Sequence, residues 1–321
     1  MSTTRLYGLN LASDLPLHQN RQGQGDADVT IRLGAPMEAT EQVPPGRVLL
    51  HLDGDKQYYS ATDTGSGYLL RFYRTCDFEL DQDLTTVTVR LVHGADPERA
   101  GVLAAGTMLS FLLAMRGRPV LHASAVQVGD AALAFVGRSG MGKSTMATLM
   151  CADGARLITD DVLHLDLDTA PPRCHLGATE LRLRKAAGDL AARFTVPPVH
   201  RVTGDDRDAL ATARAETDRL PLHAIVIPAP DHSDQDREPE FTRLSQRDAL
   251  LHLLMFPRIV GWEDPAAVDQ QFQHLSDLVE TVPVYVARLP WGPPFPPFIA
   301  TQVRAAVALD QPVASVSTPA R

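Results

Sequence analysis

Residues Gly137-Arg138-Ser139-Gly140-Met141-Gly142-Lys143-Ser144-Thr145 follow the apolar run Ala131-Ala132-Leu133-Ala134-Phe135-Val136. The nine residues fit the phosphate-loop pattern G-x-x-x-x-G-K-[ST], and they stand where that pattern needs to be, after a strand and before a helix. The apolar run predicts a buried strand. Gly137, Gly140 and Gly142 permit a tight turn and leave no Cβ between the backbone amides and a polyphosphate. Ser144 and Thr145 open an apolar-periodic segment through Met150, which predicts a helix whose N-terminus faces the anion. In this reading Lys143 reaches the β/γ-phosphates, the Ser144 hydroxyl binds Mg²⁺, and Arg138, Ser139 and Met141 complete the cradle. With Gly at about 7% of residues, chance would produce the four fixed positions in roughly one such chain in a hundred. Only three lysines occur in the whole sequence, so a fortuitous Gly-Lys pair is rarer still. The expected ligand is a nucleoside triphosphate.

The remaining composition bounds the rest. At 321 residues, 44% hydrophobic and 21% charged, the chain is of ordinary globular type and long enough for two domains. A net charge of −9 argues against broad binding to nucleic acid or to an anionic membrane, while leaving room for a local basic patch. Three cysteines, Cys76, Cys151 and Cys174, show no C-x-x-C spacing and suit buried thiols in a reducing cytoplasm. The N-terminus has no signal-peptide core. The most apolar stretch, Gly101 to Met115, is interrupted by Gly106, Thr107 and Ser110; it reads as a buried helix too short to span a bilayer.

The expected fold class is α/β in a mixed α+β arrangement. Residues 1–95 read as a small antiparallel β-rich module, with strands at Leu6–Leu15, Asp28–Leu33, Arg47–Leu52, Gln57–Ala61, Tyr68–Tyr73, Asp77–Leu80 and Thr86–Val92. A connecting helix over 96–117 leads into a phosphate-loop domain over 118–312, and 313–321 reads as a disordered tail. Within 118–312, strands are expected at Pro119–Val128, Ala155–Leu165, Leu222–Ile227 and Val282–Leu289, and helices at Gln246–Met255, Ala266–Val279 and Pro297–Leu309.

Phosphoryl transfer to a hydroxyl needs one carboxylate for Mg²⁺ and one to accept a proton. Asp160-Asp161, at the end of an apolar strand sixteen residues past Ser144, offers both. Adjacent strand residues face opposite ways, so the pair needs a strand end or bulge to converge on a phosphate. A bare Asp-Asp is ordinarily a solvated cap; its place after the loop favours chemistry. His122 lies in an apolar run, where a core histidine is the usual occupant. Glu180 alternates with apolar residues; it is either a further metal carboxylate or the wet face of a strand. Arg182, Arg184, His200 and Arg201 form either a basic edge for an acidic peptide or, as we favour, a salt-bridged surface. The proline-rich Pro290–Phe298 segment is read as an anchor for the last helix rather than a peptide clamp.

Three ordered motifs then resemble HPr kinase/phosphorylase and its relatives: the His122-Ala123-Ser124-Ala125-Val126 strand, the loop itself, and Gly154-Ala155-Arg156-Leu157 leading to Asp160-Asp161. The match covers 121–165 and extends weakly to Arg184. The wider layout, including Tyr7-Gly8-Leu9-Asn10, is similar to HPr-kinase-like proteins of peptide natural-product clusters, some of which phosphorylate a C-terminal Ser of lasso-peptide precursors. The resemblance implies the phosphate-loop kinase core shared with phosphoenolpyruvate carboxykinase. It also implies Asp160 as the base, Asp161 at the metal and His122 beside the phosphates, the two Asp roles being exchangeable; Ser144, from the loop pattern, and Glu180 are the other expected metal residues. No glycine-containing signature follows Glu180-Leu181-Arg182, and 1–95 does not read like the regulatory domain of true HPr kinases. Both departures count against HPr as the acceptor and against the reverse reaction.

The function expected is an ATP- and Mg²⁺-dependent kinase of a hydroxyl on a peptide or small protein, with Lys143, Asp160 and His122 as catalytic residues. A homo-oligomer is left open, and neither nucleic acid nor membrane is an expected partner. The alternatives are a nucleotide-binding regulator or ATPase without an acceptor, or a kinase of a small biosynthetic intermediate. Leu244-Ser245-Gln246-Arg247 lacks the glycines of a transporter signature, and no Asn-Lys-x-Asp guanine reader is present.

Overall fold

The computed structural model describes residues 3–19, 21–55, 57–184, 187–233 and 237–309. The expected disordered tail, 313–321, lies outside them. Alternating apolar residues in the first ninety positions form β1 (Thr4–Leu6), β2 (Leu9–Ser13), β3 (Val29–Leu33), β4 (Arg47–Leu52), β5 (Tyr59–Asp63), β6 (Gly67–Phe72), β7 (Cys76–Asp81) and β8 (Thr86–Leu91). They make one sheet in the order β1-β2-β3-β8-β7-β6-β5-β4. The expectation of an antiparallel module needs correction, because β3 runs parallel to both β2 and β8. The expected strand Leu6–Leu15 is a hairpin, broken where Tyr7 and Gly8 both take positive φ.

A helical rod follows: α1 (Pro97–Leu103), a π-helical turn at Ala104–Met108, and α2 (Leu109–Met115). Asp96 caps its start by accepting from the Glu98 N–H, and Pro97 fills the first helical position, where a missing donor costs nothing. The rod takes in four residues before Gly101–Met115, the apolar stretch read as too short to span a bilayer. By length and composition alone its 19 residues are enough to cross a membrane, yet 56% of that apolar window is buried against the rest of the protein. Phe111, Leu112 and Met108 sit in one core with Leu49, Leu70, Phe78 and Val89 of the first sheet.

The second sheet holds the remaining chemistry. Its strands are β9 (Val120–Leu121), β10 (Ala123–Val128), β11 (Ala131–Val136), β12 (Arg156–Thr159), β13 (Leu163–Asp166), β14 (Arg173–His175) and, after an intervening small sheet, β18 (Arg219–Asp231), β19 (Glu240–Arg243) and β20 (Val284–Pro290). Helix α3 (Lys143–Ala152) packs on it, as does α7 (Ile299–Ala306), through Met146, Met150, Phe135, Val226, Ile299 and Val303. The small sheet is β15 (Glu180–Leu183), β17 (Asp208–Ala211) and β16 (Val199–Val202), in that order, beside α4 (Ala187–Ala191). Helices α5 (Gln246–Leu254) and α6 (Pro265–Thr281) cover the other face with Ala249, Leu253, Leu275 and Leu278. The whole is a mixed α/β fold with mixed sheets.

Two expected strands are each broken in two, and the breaks decide the site. Pro119–Val128 divides at His122 into β9 and β10, and Ala155–Leu165 divides at Asp160-Asp161 into β12 and β13. Below the break β10 pairs with β12, with Ala125 opposite Thr159; above it β9 pairs with β13, with Leu121 opposite Leu163. His122 is thereby set against the aspartates.

Candidate active site

Strand β11 ends at Val136, opposite Ala123 of β10, so the loop opens at the same sheet end as His122 and Asp160. Gly140 and Gly142 hold φ of +92° and +88°, left-handed values that suit glycine. At Gly140 nothing lies within 4 Å of the place a Cβ would take, whereas at Gly142 a Cβ would stand 2.4 Å from the Trp291 ring. Gly142 is the N-cap of α3 and offers no side chain to the first-turn amides. Those amides therefore remain directed out of the helix end.

Lys143 is buried, and its Nζ donates to the Arg138 carbonyl at 3.2 Å, folding the ammonium over the loop. Burial pulls its pKa down from 10.5 to about 8, against the opposing pull of Asp160 and Asp161. Ser144 Oγ donates to the Asp160 carboxylate, at 2.9 Å from Oδ1 and 3.1 Å from Oδ2. Asp160 is 2% exposed and accepts two further bonds, from Ser124 Oγ at 2.5 Å and from the Arg182 N–H at 2.8 Å.

Asp161 differs in every respect. Its φ is +73°, a conformation that costs a non-glycine residue of order 1 kcal/mol or more. The turn swings its carboxylate away from Asp160, to 3.3 Å from His122 Nε2 and 2.9 Å from Arg258 Nη2. Burial favours its neutral form, but the Arg258 guanidinium and the His122 hydrogen bond outweigh that, holding the carboxyl well below its usual range. Burial lowers the His122 pKa; its bond to Asp161 pulls the other way and Lys143 adds to the lowering, so the ring is neutral at pH 7.

These groups line one cleft of about 930 Å³. Ser139, Gly140 and Gly142 to Thr145 form one wall, His122, Asp160, Asp161 and Arg258 the floor, and Arg99, Val102, Leu103, Gly106 and Thr107 of the rod the wall opposite. Gly106 crosses closely over the floor: a Cβ there would lie 3.1 Å from Arg258 Nη2 and 3.5 Å from Asp161 Oδ2.

Most of the expected site residues are thus brought together in one cleft. Asp160, expected to be the base, is bonded to Ser144; Asp161, expected at the metal, is the carboxylate beside His122. Glu180, the other expected metal carboxylate, is not brought into the cleft. Arg201 engages both of its oxygens, at 3.0 and 2.6 Å. The proline-rich segment anchors α7 through buried Trp291 and Phe295, as expected, and also lines the cleft. Ser124, Gly106 and Arg258 went unrecognised. Ser124 stands two residues past His122 in the same strand run, a usable signal; Arg258 is ninety-seven residues from its partner Asp161 and has none.

The residues fit a Mg²⁺·triphosphate. The loop has open glycine surface and uncapped helix amides, and Ser144 with Asp160 supplies hard oxygen donors. Among the described residues no group of three or more His, Cys, Asp or Glu has metal-holding geometry. Mg²⁺ typically takes only one or two protein carboxylates and completes its shell with water and phosphate.

No family model and no curated protein matches the sequence. Among solved structures the chain is similar to the HPr(Ser) kinase/phosphatase from Coxiella burnetii. The identity is 12%, the TM-score 0.30, and the match covers 58% of this chain and 94% of that one.

Proposed function

We propose that the protein is a phosphate-loop phosphotransferase that moves the terminal phosphoryl group of ATP to a hydroxyl, with a seryl hydroxyl of a peptide or small protein as acceptor. The observation that carries this reading is the bond from Ser144 to Asp160, made across sixteen residues at the mouth of a glycine loop. A loop hydroxyl tied to a buried carboxylate is the arrangement that places Mg²⁺ against a triphosphate.

When bound, Mg²⁺ would neutralise charge on the phosphoryl oxygens. Ser144 and Asp160 would hold it. The loop amides and the Lys143 ammonium bind the phosphate chain and offset the charge that builds on it during transfer. Asp161, kept ionised by Arg258 and His122, accepts the hydrogen bond of the acceptor hydroxyl and orients its oxygen, taking the proton as the new P–O bond forms and the bond from the γ-phosphorus to the bridging oxygen breaks to release ADP. This exchanges the two aspartate roles that the family resemblance implies. Gly106 and its neighbours exclude water from the opposite side.

Two variants separate the roles. Asp161→Asn should keep Mg²⁺·AMP-PNP affinity within a few-fold and lose transfer by about 10²-fold or more. Asp160→Asn should weaken Mg²⁺-dependent nucleotide binding itself. The readouts are calorimetry for binding, and for transfer the mass gain of a seryl peptide incubated with Mg²⁺·ATP. Full transfer by Asp161→Asn would remove the base assignment. Acceptor-independent ADP release with no phosphorylated product would replace the kinase reading with an ATPase.

A further inference from the structure

The cleft carries more positive charge than a Mg²⁺·triphosphate needs. Six cationic side chains line it (Arg99, Lys143, Arg182, Arg184, Arg207 and Arg258) against the three carboxylates of Asp160, Asp161 and Asp205. This excess stands out in a chain of net charge −9.

Three of the cations, Arg182, Arg184 and Arg207, gather about the turn between β16 and β17, and Arg99 of the rod lines the same cleft. Gly204 of that turn packs on the rod so tightly that a Cβ would lie 2.8 Å from the Arg99 backbone nitrogen. The turn thus spans from α1 to β15. Asp205 Oδ2 receives both Arg182 Nη2 and, at 3.2 Å, Arg207 Nε. Its other oxygen accepts from Thr203 Oγ1 at 2.6 Å. One carboxylate therefore serves two guanidiniums. Arg99 and Arg184 line the same cleft and have no carboxylate partner among the described residues. Arg182 Nε is buried with no hydrogen-bond partner. The Arg207 pKa is lowered by burial first and then by Arg182, with Asp205 opposing and Arg184 adding to the lowering. Like charges held together in a half-buried site repel one another, and an anion among them removes the cost.

We propose that this arginine cluster is an anion subsite for the acceptor, whose hydroxyl is flanked by a carboxylate or phosphoryl group. The proposal rests on the phosphotransferase reading and names the class of acceptor: acidic around the modified hydroxyl. Guanidinium forks suit either anion, because both present paired oxygens. Lys143, the loop amides and the end of α3 face the triphosphate; Gly204 sets the Asp205 turn against the rod, and Arg182 stands on β15, which shares a core with α3. Of the residues weighed as a basic edge from the sequence, His200 and Arg201 pair with Asp208 and Glu180 and take no part.

The test uses the full chain saturated with Mg²⁺·AMP-PNP, into which inorganic phosphate or acetate is titrated by calorimetry. Phosphate should bind this complex. Arg99→Gln and Arg184→Gln, both at exposed positions, should together weaken phosphate about tenfold while Mg²⁺·AMP-PNP affinity changes less than about twofold. Acetate binding with the same sensitivity would mark a carboxylate as the natural group, and phosphate alone a phosphoryl group. The proposal falls if neither anion binds the saturated complex. It also falls if the double variant loses AMP-PNP affinity about tenfold, which would assign the cluster to the nucleotide. If AMP-PNP fails to bind the unaltered protein, the phosphotransferase reading fails separately, and phosphate titrated into the free protein and the double variant still reads the cluster.

Discussion

Lys143 is buried with its ammonium folded on the Arg138 carbonyl, and its pKa is pulled from 10.5 to about 8. Between those values the unfolded chain holds the proton and the folded chain does not, so folding stability gains as pH rises through this window. A bound triphosphate acts in the opposite sense, because its charge favours the ammonium. Binding of Mg²⁺·ADP at about pH 9 should therefore take up a sizeable fraction of one proton, and little at pH 7. Calorimetry in two buffers of different ionisation heat measures it; equal apparent enthalpies at pH 9 would show that Lys143 is not the group that meets the phosphates. At this scale the sequence was informative where the chemistry is local. The loop glycines, Lys143 and Ser144 are contiguous, so a local pattern names them together. The aspartate pair was visible, but not which member faced the loop. That depends on the positive φ of Asp161 and on Arg258, which reaches it from after α5.

The rod from Pro97 to Met115 was legible as a helix because its apolar residues are nearly continuous. Its π turn was not, since an extra residue in a turn leaves no mark on a helix that is apolar on most sides. The same difficulty hid the parallel pairing of β3, because alternation reads alike in either direction and pairing is non-local. The breaks at His122 and Asp160-Asp161 fall inside apolar runs with no glycine or proline to announce them. Two glycines of the rod should now behave oppositely. A Cβ on Gly101 would stand 2.1 Å from the Pro16 carbonyl oxygen, which is backbone and cannot yield. Gly101→Ala should lower stability by about 1–3 kcal/mol despite the better helix propensity of alanine, read as a lower urea midpoint. A Cβ on Gly106 meets only the Arg258 guanidinium and, at contact distance, Asp161. Gly106→Ala should leave the urea midpoint nearly unchanged and reduce transfer about tenfold, by shifting Arg258 against the carboxylate it holds. Unimpaired transfer would mean that the pair tolerates displacement and that the rod is merely a wall.

Across the whole molecule the two large sheets are tied by contacts that no local pattern announces. Val162 and Ile259 enter the core of the first sheet, and the Tyr7 N–H donates to the Leu176 carbonyl at 2.8 Å. His164 Nδ1 lies 2.7 Å from the Tyr7 carbonyl oxygen, and the His164 and His175 rings stack with centroids 4.2 Å apart. Gly8 lies against His175 so closely that a Cβ would come within 2.5 Å of its ring. Burial, chiefly, pulls the two histidines from 6.5 to about 4 and about 3, with the Tyr7 hydrogen bond opposing at His164 and the His164 charge adding at His175. Both are neutral in the folded protein when the unfolded chain already binds their protons. Their contribution to stability is therefore complete above pH 6.5 and is lost as pH falls towards 4 and 3. The two tryptophans provide separate readouts, Trp262 stacked on Phe111 beside the first sheet and Trp291 against Phe295 beside the cleft. If the sheets fold as one unit, urea unfolding followed through Trp291→Phe and Trp262→Phe variants should give coincident midpoints at pH 7. Both midpoints should fall together between pH 6.5 and 4. His175→Phe keeps the stacked ring but cannot be protonated, so its midpoint should fall less over that range. An equal fall would place the acid sensitivity elsewhere, and midpoints that separate at pH 7 would show that the Tyr7–Gly8 turn does not couple the two sheets.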